Sequence, residues 1–195
     1  DDHTCACIVE PVQGEGGVHL AEAAFLKGLR ALCDRHGALL IFDEVQCGLG
    51  RTGTLWAHEP YGVTPDLMTL AKPLGGGLPI GATLMTAAVA EAIEPGDHGS
   101  TFAGNPVVCA AAQVVLSKIG APEFLERVRS LGTYLEESLL DLRHRHGCIT
   151  EVRGRGLIWG IEANVDVGPA IDAGFAQGLL TCKAGGHVLR LLPPL

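Results

Sequence analysis

Two apolar runs, each stopped by a charged residue, constrain this chain more than anything else in it. Ala38-Leu39-Leu40-Ile41-Phe42 shows no polar alternation and ends in Asp43-Glu44. Leu67-Met68-Thr69-Leu70-Ala71 follows Pro65-Asp66 and ends in Lys72-Pro73 and nearby glycines. Unalternating runs of this length predict strands covered on both faces of a parallel sheet. In open α/β sheets a ligand sits in the crevice beyond the carboxyl ends of the strands. An acid at one strand end and an amine at another, Asp43 and Lys72, are therefore placed to converge on one small molecule.

The rest of the chain fits around that pair. Residues 5–9 read as a short strand that delivers Glu10 and a glycine-bearing loop, 12–18, on which Glu15 sits. Residues 21–36 carry Phe25, Leu29 and Leu32 at helical spacing, with Gly37 as C-cap. Further on, 81–86 predict a strand, 87–93 a short helix, 97–101 a polar turn and 105–119 an apolar helix. At residues 120–122 the texture changes from apolar to amphipathic, which divides the chain into segments 1–121 and 122–195. In the second segment, 123–145 show an apolar stripe (Phe124, Val128, Leu131, Leu135, Leu139, Leu142) of a long surface helix. Strands are predicted at 149–152, 157–162, 179–182 and 188–192, with a helix at 169–177.

Composition narrows the function classes. A net charge of -8, with no basic run longer than residues 143–146, argues against nucleic-acid and anionic-membrane partners. The seven cysteines form no CxxC pair and no zinc spacing, so reduced thiols and no metal site are expected. No apolar run approaches the ~20 residues of a membrane span, and no signal peptide opens the sequence. A first residue other than methionine, and a last one directly after a strand-like run, suggest a fragment.

Gly48-Leu49-Gly50-Arg51-Thr52-Gly53 is a literal GxGxxG, which raises a nicotinamide-dependent dehydrogenase as an alternative. Context opposes it. Such a site needs the glycines to open a long helix facing pyrophosphate, whereas residues 54–58 are short and Asp43-Glu44 would repel phosphates. A non-catalytic subunit is a third possibility.

A lysine and a carboxylate at neighbouring strand ends suit pyridoxal 5'-phosphate, which is held as a Schiff base on a lysine while a carboxylate pairs with its pyridine nitrogen. Five ordered motifs then carry a resemblance: VEPVQGEGG at 9–17, IFDEVQCGLGRTG at 41–53, TLAKPLGGGLPIGA at 69–82, GDHGSTFAGNP at 96–106 and VLRLLPPL at 188–195. The chain resembles the class III (ornithine-type) aminotransferases nearly end to end. That resemblance implies an α/β fold of the fold-type I transferases: the C-terminal part of the large cofactor-binding domain to residue 121, then most of the small domain.

It also implies roles. Lys72 would carry the cofactor and Asp43 would face its ring nitrogen. Gln46 would lie near the ring and its phenolic oxygen, and Ser100 and Thr101 would reach the phosphate held by the neighbouring subunit of a homodimer with shared sites. Glu15 and Arg190 would pair when one substrate is bound and part when a dicarboxylate arrives. Glu10, Glu44, His58 and His98 are expected to be structural. The expected reaction uses small amino-acid and 2-oxo-acid substrates, namely N2-acetylornithine and 2-oxoglutarate in arginine biosynthesis. Ornithine, succinylornithine and 4-aminobutyrate are alternative donors. The family's glycine-serine phosphate loop, ring-stacking aromatic residue and closing C-terminal helix have no counterpart here, so this segment alone is expected to be inactive. The expected location is the cytoplasm of a prokaryote, or the mitochondrial or plastid matrix of a eukaryote.

Overall fold

The computed structural model describes residues 3–195; Asp1 and Asp2, at the start of the expected first segment, lie outside the described residues. The first sheet is ordered β1 (Ala6–Val9), β2 (Leu39–Asp43), β3 (Leu67–Leu70) and β4 (Ala82–Met85). The first three strands are parallel and β4 closes one edge antiparallel. Helix α1 (Ala23–His36) crosses from β1 to β2 and ends where Gly37 turns left-handed at φ 64° and bonds back to the Cys33 carbonyl.

Coverage of this sheet is one-sided. Leu40 and Phe42 are buried against Leu26 and Cys33 of α1, with Tyr61 and Val63, while Met68 and Leu70 are buried with Ala112 and Ile119. Leu39 and Ile41 point to the other face and are only half-buried, and Ile8, in register with Ile41, is 64% exposed. The unbroken apolar run in β2 thus predicts more burial than this chain supplies. The face of α1 also differs from expectation: Leu26, Leu29 and Cys33 meet the sheet, whereas Phe25 and Leu32 are exposed. Both sets have helical spacing, and the stripe containing the slimmer Cys33 is the one seated beside Ala38.

After the four-residue α2 (Ala87–Ala90), shorter than predicted, α3 (Pro106–Ile119) begins at Asn105. The Asn105 Oδ1 accepts from the Val107 and Val108 N–H groups, and Pro106 occupies the first turn where no N–H is needed. Helix α4 (Pro122–Arg145) then covers a second sheet, antiparallel throughout, ordered β5 (Ile149–Arg155), β6 (Ile158–Ala163), β8 (Val188–Leu191) and β7 (Cys182–Ala184). Helix α5 (Gly168–Ala176) joins β6 to β7.

Two strands differ from the sequence expectation. β5 continues through Arg153-Gly154-Arg155, because Gly156, at φ 56°, makes the turn alone with Leu157. β7 starts at Cys182, leaving Leu179 and Leu180 exposed, because its register with β8 is fixed by the tight turn at Gly185. On α4 the stripe holds at Val128, Leu135, Leu139 and Leu142, but Leu131 is exposed and Gly132 faces inward. A Cβ at Gly132 would lie 2.8 Å from the Gly156 Cα, so only glycine permits this approach of helix to turn.

The two sheets share apolar clusters. Phe124 and Leu195 pack with Leu49, Leu70 and Leu74, and Val12, Val18, Cys47 and Ala57 enclose Ile158 and Leu192. This packing brings the 12–18 loop under the second sheet. No single helix among the described residues is long and apolar enough to cross a membrane.

Candidate active site

Asp43 and Thr69 are register partners on β2 and β3, so the ends of these parallel strands lie side by side. The Thr69 hydroxyl donates to Asp43 Oδ1 at 3.1 Å, and the Val45 N–H donates to the same oxygen at 3.0 Å. Among the described residues no donor reaches Oδ2, which leaves one carboxylate oxygen for a further N–H. Just past β3, Lys72 opens a short 3-10 turn (Lys72–Gly75) with φ 24°, a left-handed value that a side-chain-bearing residue rarely adopts. Leu74 N–H bonding to the Ala71 carbonyl and Gly76 N–H bonding to the Pro73 carbonyl hold that bend, anchored by buried Leu74. The strain redirects the chain where the strand would otherwise continue. Lys72 itself is exposed, because that bend carries it out of the sheet.

A second group gathers next to it from distant parts of the sequence. Glu15, from the loop after β1, pairs with Arg190 of β8: Arg190 Nη1 lies 2.7 Å from Glu15 Oε1. The same nitrogen donates to Gln46 Oε1 at 2.9 Å, and Gln46 Nε2 donates to Glu15 Oε1 at 3.3 Å. Gly14 must be glycine for this triangle, since a Cβ there would fall 1.9 Å from Gln46 Oε1. Arg190 is 6% exposed and the Glu15 side chain 72% exposed, so a buried cation faces an acid that remains free to leave. The hydrogen bonds from Arg190 and then Gln46 hold the Glu15 carboxyl below its usual range, helped by the charges of Arg190 and Lys72. Lys72 is thus within electrostatic reach of the Glu15–Arg190 pair.

The sequence-expected residues separate into those the fold gathers and those it does not. Asp43, Lys72, Gln46 and Glu15 lie past the carboxyl ends of strands in the first sheet, and Arg190 reaches Glu15 and Gln46 from β8 of the second. Ser100 and Thr101 are exposed; the Ser100 hydroxyl accepts from the Ala103 N–H, and with Phe102 it borders an open cavity of about 600 Å³. Neither joins the cluster among the described residues.

Neighbouring polar groups are structural. Glu44, buried, accepts from the Ala57 and His58 N–H groups at 2.8 and 2.9 Å and pairs with His58 Nδ1. Glu10 accepts from the Gly14 N–H and so shapes the Glu15 loop. Burial pushes the Cys47 thiol up to about 12, far from a reactive thiolate.

The GxGxxG forms consecutive turns wedged between the sheets and opens no helix. Its Gly48 fits against Glu44 and its Gly53 against Arg129, so these glycines serve packing rather than a phosphate.

Sequence reasoning did not single out several contributors. Thr69 anchors Asp43; Arg153 fixes the loop by donating to the Gly17 carbonyl at 2.9 Å; Cys182 touches Arg190. Thr69, the lone hydroxyl in an apolar strand, carried a signal. The other two depend on strand pairing that the sequence does not display.

The profile of the family described as aminotransferase class-III matches residues 1–195. A mitochondrial acetylornithine aminotransferase of Alnus glutinosa is 58% identical over 191 residues, covering 97% of this chain and 42% of that protein. A succinylornithine transaminase of Yersinia pestis is 50% identical over 198 residues, covering 100% of this chain and 48% of that protein. Among solved structures, the ornithine aminotransferase of Toxoplasma gondii, with partial occupancy of PLP at its active site, superposes with a TM-score of 0.93 at 38% identity, covering 100% of this chain and 47% of that one. The chain spans about half the length of the curated relatives it matches.

Proposed function

The chain belongs to the class-III aminotransferase family, and we propose that the full-length protein transfers an amino group between N2-acetylornithine and 2-oxoglutarate, with pyridoxal phosphate as cofactor. One observation carries the proposal: a buried arginine paired with a displaceable glutamate at 2.7 Å, within electrostatic reach of a strand-end lysine.

The donor set fits this cofactor. Lys72 offers a primary amine past the end of β3, and Asp43 offers a carboxylate oxygen with no other donor among the described residues, held in place through Oδ1. When bound, the cofactor supplies an aldehyde that captures amines and a ring that accepts the electron pair released at the substrate carbon. Asp43 would keep the ring nitrogen protonated by placing a negative charge beside it. Lys72 Nζ would hold the cofactor between turnovers and, once freed, take the proton from the substrate carbon that bears the reacting amino group and return it during transfer. Gln46, bonded to Glu15 and Arg190, would also lie near the cofactor ring and its phenolic oxygen. Arg190 would bind a carboxylate of 2-oxoglutarate or glutamate by a charge-assisted pair, with Glu15 as the partner that yields.

The remaining assignments belong to the same proposal. Residues 1–121 form part of a large domain and 122–195 most of a small one. Ser100 and Thr101, exposed and apart from the cluster, serve the phosphate in the partner subunit of a homodimer. The enzyme works in the cytoplasm of a prokaryote or an organelle matrix of a eukaryote, the second supported by the mitochondrial designation of the Alnus relative. A second donor, succinylornithine, has the support of the Yersinia relative.

Turnover of the full-length protein with acetylornithine, succinylornithine and ornithine, each against 2-oxoglutarate, tests the proposal. The highest kcat/KM is expected for acetylornithine. No transamination with any of the three would refute it.

A further inference from the structure

Arg190 makes a contact that its carboxylate partners do not explain. β7 and β8 pair so that Cys182 stands directly opposite Arg190, and opposite residues of an antiparallel pair share a face. The Cys182 Sγ accepts from Arg190 Nε at 3.4 Å and from Nη2 at 3.3 Å. These two nitrogens form one fork of the guanidinium, the kind of edge that grips a carboxylate with two parallel hydrogen bonds. Here the fork holds a sulfur, a weaker acceptor than a carboxylate oxygen. Glu15 and Gln46 are left with Nη1, at 2.7 and 2.9 Å. On the other side of β8 the register partner of Arg190 is Gly160, which contributes no side chain. The turn between β7 and β8 is tied to the acid's own loop, because the Gly185 N–H donates to the Glu15 carbonyl at 2.8 Å.

Resting on the proposed role of Arg190, we propose that Cys182 is a positioning residue: its sulfur reserves the Nε/Nη2 edge, so that Glu15 and a carboxylate of a dicarboxylate substrate must compete for the other end. A sulfur suits this task. It meets two donors of a desolvated guanidinium through a weak acceptor and leaves Nη1 for a carboxylate. A carboxylate in its place would pair with the guanidinium charge permanently, and an aliphatic side chain would leave two buried donors unmet. Without the sulfur the guanidinium swings to take Glu15 on its open fork. Glu15 is then harder to displace, and the dicarboxylate binds less well.

The test is a double-mutant cycle read by calorimetric binding of glutarate, an unreactive five-carbon dicarboxylate, to the full-length, cofactor-loaded protein. Cys182→Ala is expected to weaken glutarate on the order of fivefold to tenfold, the scale of one ordinary lost hydrogen bond. Cys182→Ser, which keeps a small acceptor, is expected to restore most of it. In a Glu15→Ala background the same Cys182→Ala change is expected to have little effect, because the competitor is gone. An equal loss in both backgrounds, or none in either, overturns the proposal. Should Cys182→Ala fail to fold, Cys182→Val fills the space without an acceptor and enters the same cycle. Arg190→Ala keeps the two levels apart: if it binds glutarate like the wild type, the role of Arg190 itself falls. If it loses binding while Cys182→Ala does not, only the role of Cys182 falls.

Discussion

Replacing Gly132 by alanine sets helix propensity against packing, and the structure predicts that packing wins. In an exposed helix interior Gly→Ala stabilises by about 1 kcal/mol. At position 132, however, the new Cβ would lie 2.8 Å from the Gly156 Cα and 2.9 Å from its carbonyl oxygen, both backbone atoms. The β5–β6 turn has nowhere to retreat: a Cβ at Gly156 would itself sit 2.6 Å from the Arg51 carbonyl oxygen. The turn is pinned by the Leu157 N–H to the Arg51 carbonyl at 2.9 Å and by Trp159 Nε1 to the Gly156 carbonyl at 2.7 Å. Overpacking of this kind costs about 1–3 kcal/mol. Because both clashes meet pinned backbone, the upper part of that range applies, about 2–3 kcal/mol, and set against the propensity gain the expected net is a loss of about 1–2 kcal/mol. In a domain of this size that lowers Tm by about 2–4 °C per kcal/mol. Thermal melts of the full-length protein at fixed cofactor concentration measure it. Because the same turn seats the second sheet over the 12–18 loop, the KM for 2-oxoglutarate is expected to rise with the loss. A Tm unchanged or raised would refute the reasoning, since it would mean the helix can move away from the turn freely.

Two further outcomes follow from charge placement. Arg190→Ala is expected to slow the glutamate/2-oxoglutarate half-reaction by about 30-fold or more, the effect of about 2 kcal/mol or more lost from a buried charge contact. Glu15→Ala spares that half and slows the acetylornithine half; single-turnover rates of each half-reaction decide it, and equal losses in both halves would reduce the pair to a structural ion pair. Asp66 ties β2 to the start of β3, accepting from the Leu40 N–H and from Arg30 Nη1, each at 2.7 Å. Burial pushes its carboxyl up, but those two donors outweigh it and hold it below the ordinary 3.8. Its stabilisation is therefore complete above about pH 4 and is lost as pH falls through the lower folded value. Asp66→Ala is expected to lower stability at pH 7 and to flatten the acid limb of the stability–pH curve; an unchanged limb would contradict it.

How much of this was legible in the sequence depends on the range over which each feature is decided. Strand β2 ending in Asp43, β3 running into Lys72 and α4 over residues 122–145 are written in local pattern, and the structure places them within a residue or two. The face of α1 and the start of β7 were not legible. Leu26 and Phe25 satisfy the same periodicity, and Leu179-Leu180 is as strand-like as Cys182-Lys183-Ala184; packing against Ala38 and register with β8 choose between them. The site divides in the same way. Asp43 and Lys72 announce themselves by position at strand ends. Glu15, Gln46 and Arg190 were named through family resemblance, and the fold supplies what no pattern shows, that their side chains form one hydrogen-bonded triangle. Cys182 was only one of seven thiols until pairing set it opposite Arg190.

The central claim is that Lys72 is the residue that holds the cofactor. The direct measurement is borohydride reduction of the cofactor-loaded full-length protein, which locks the cofactor onto the amine that carries it, followed by peptide mass mapping. The account predicts the added mass on the peptide containing Lys72, and its disappearance in Lys72→Ala. The adduct on another lysine, such as Lys27, Lys118 or Lys183, or no adduct at all, would contradict it.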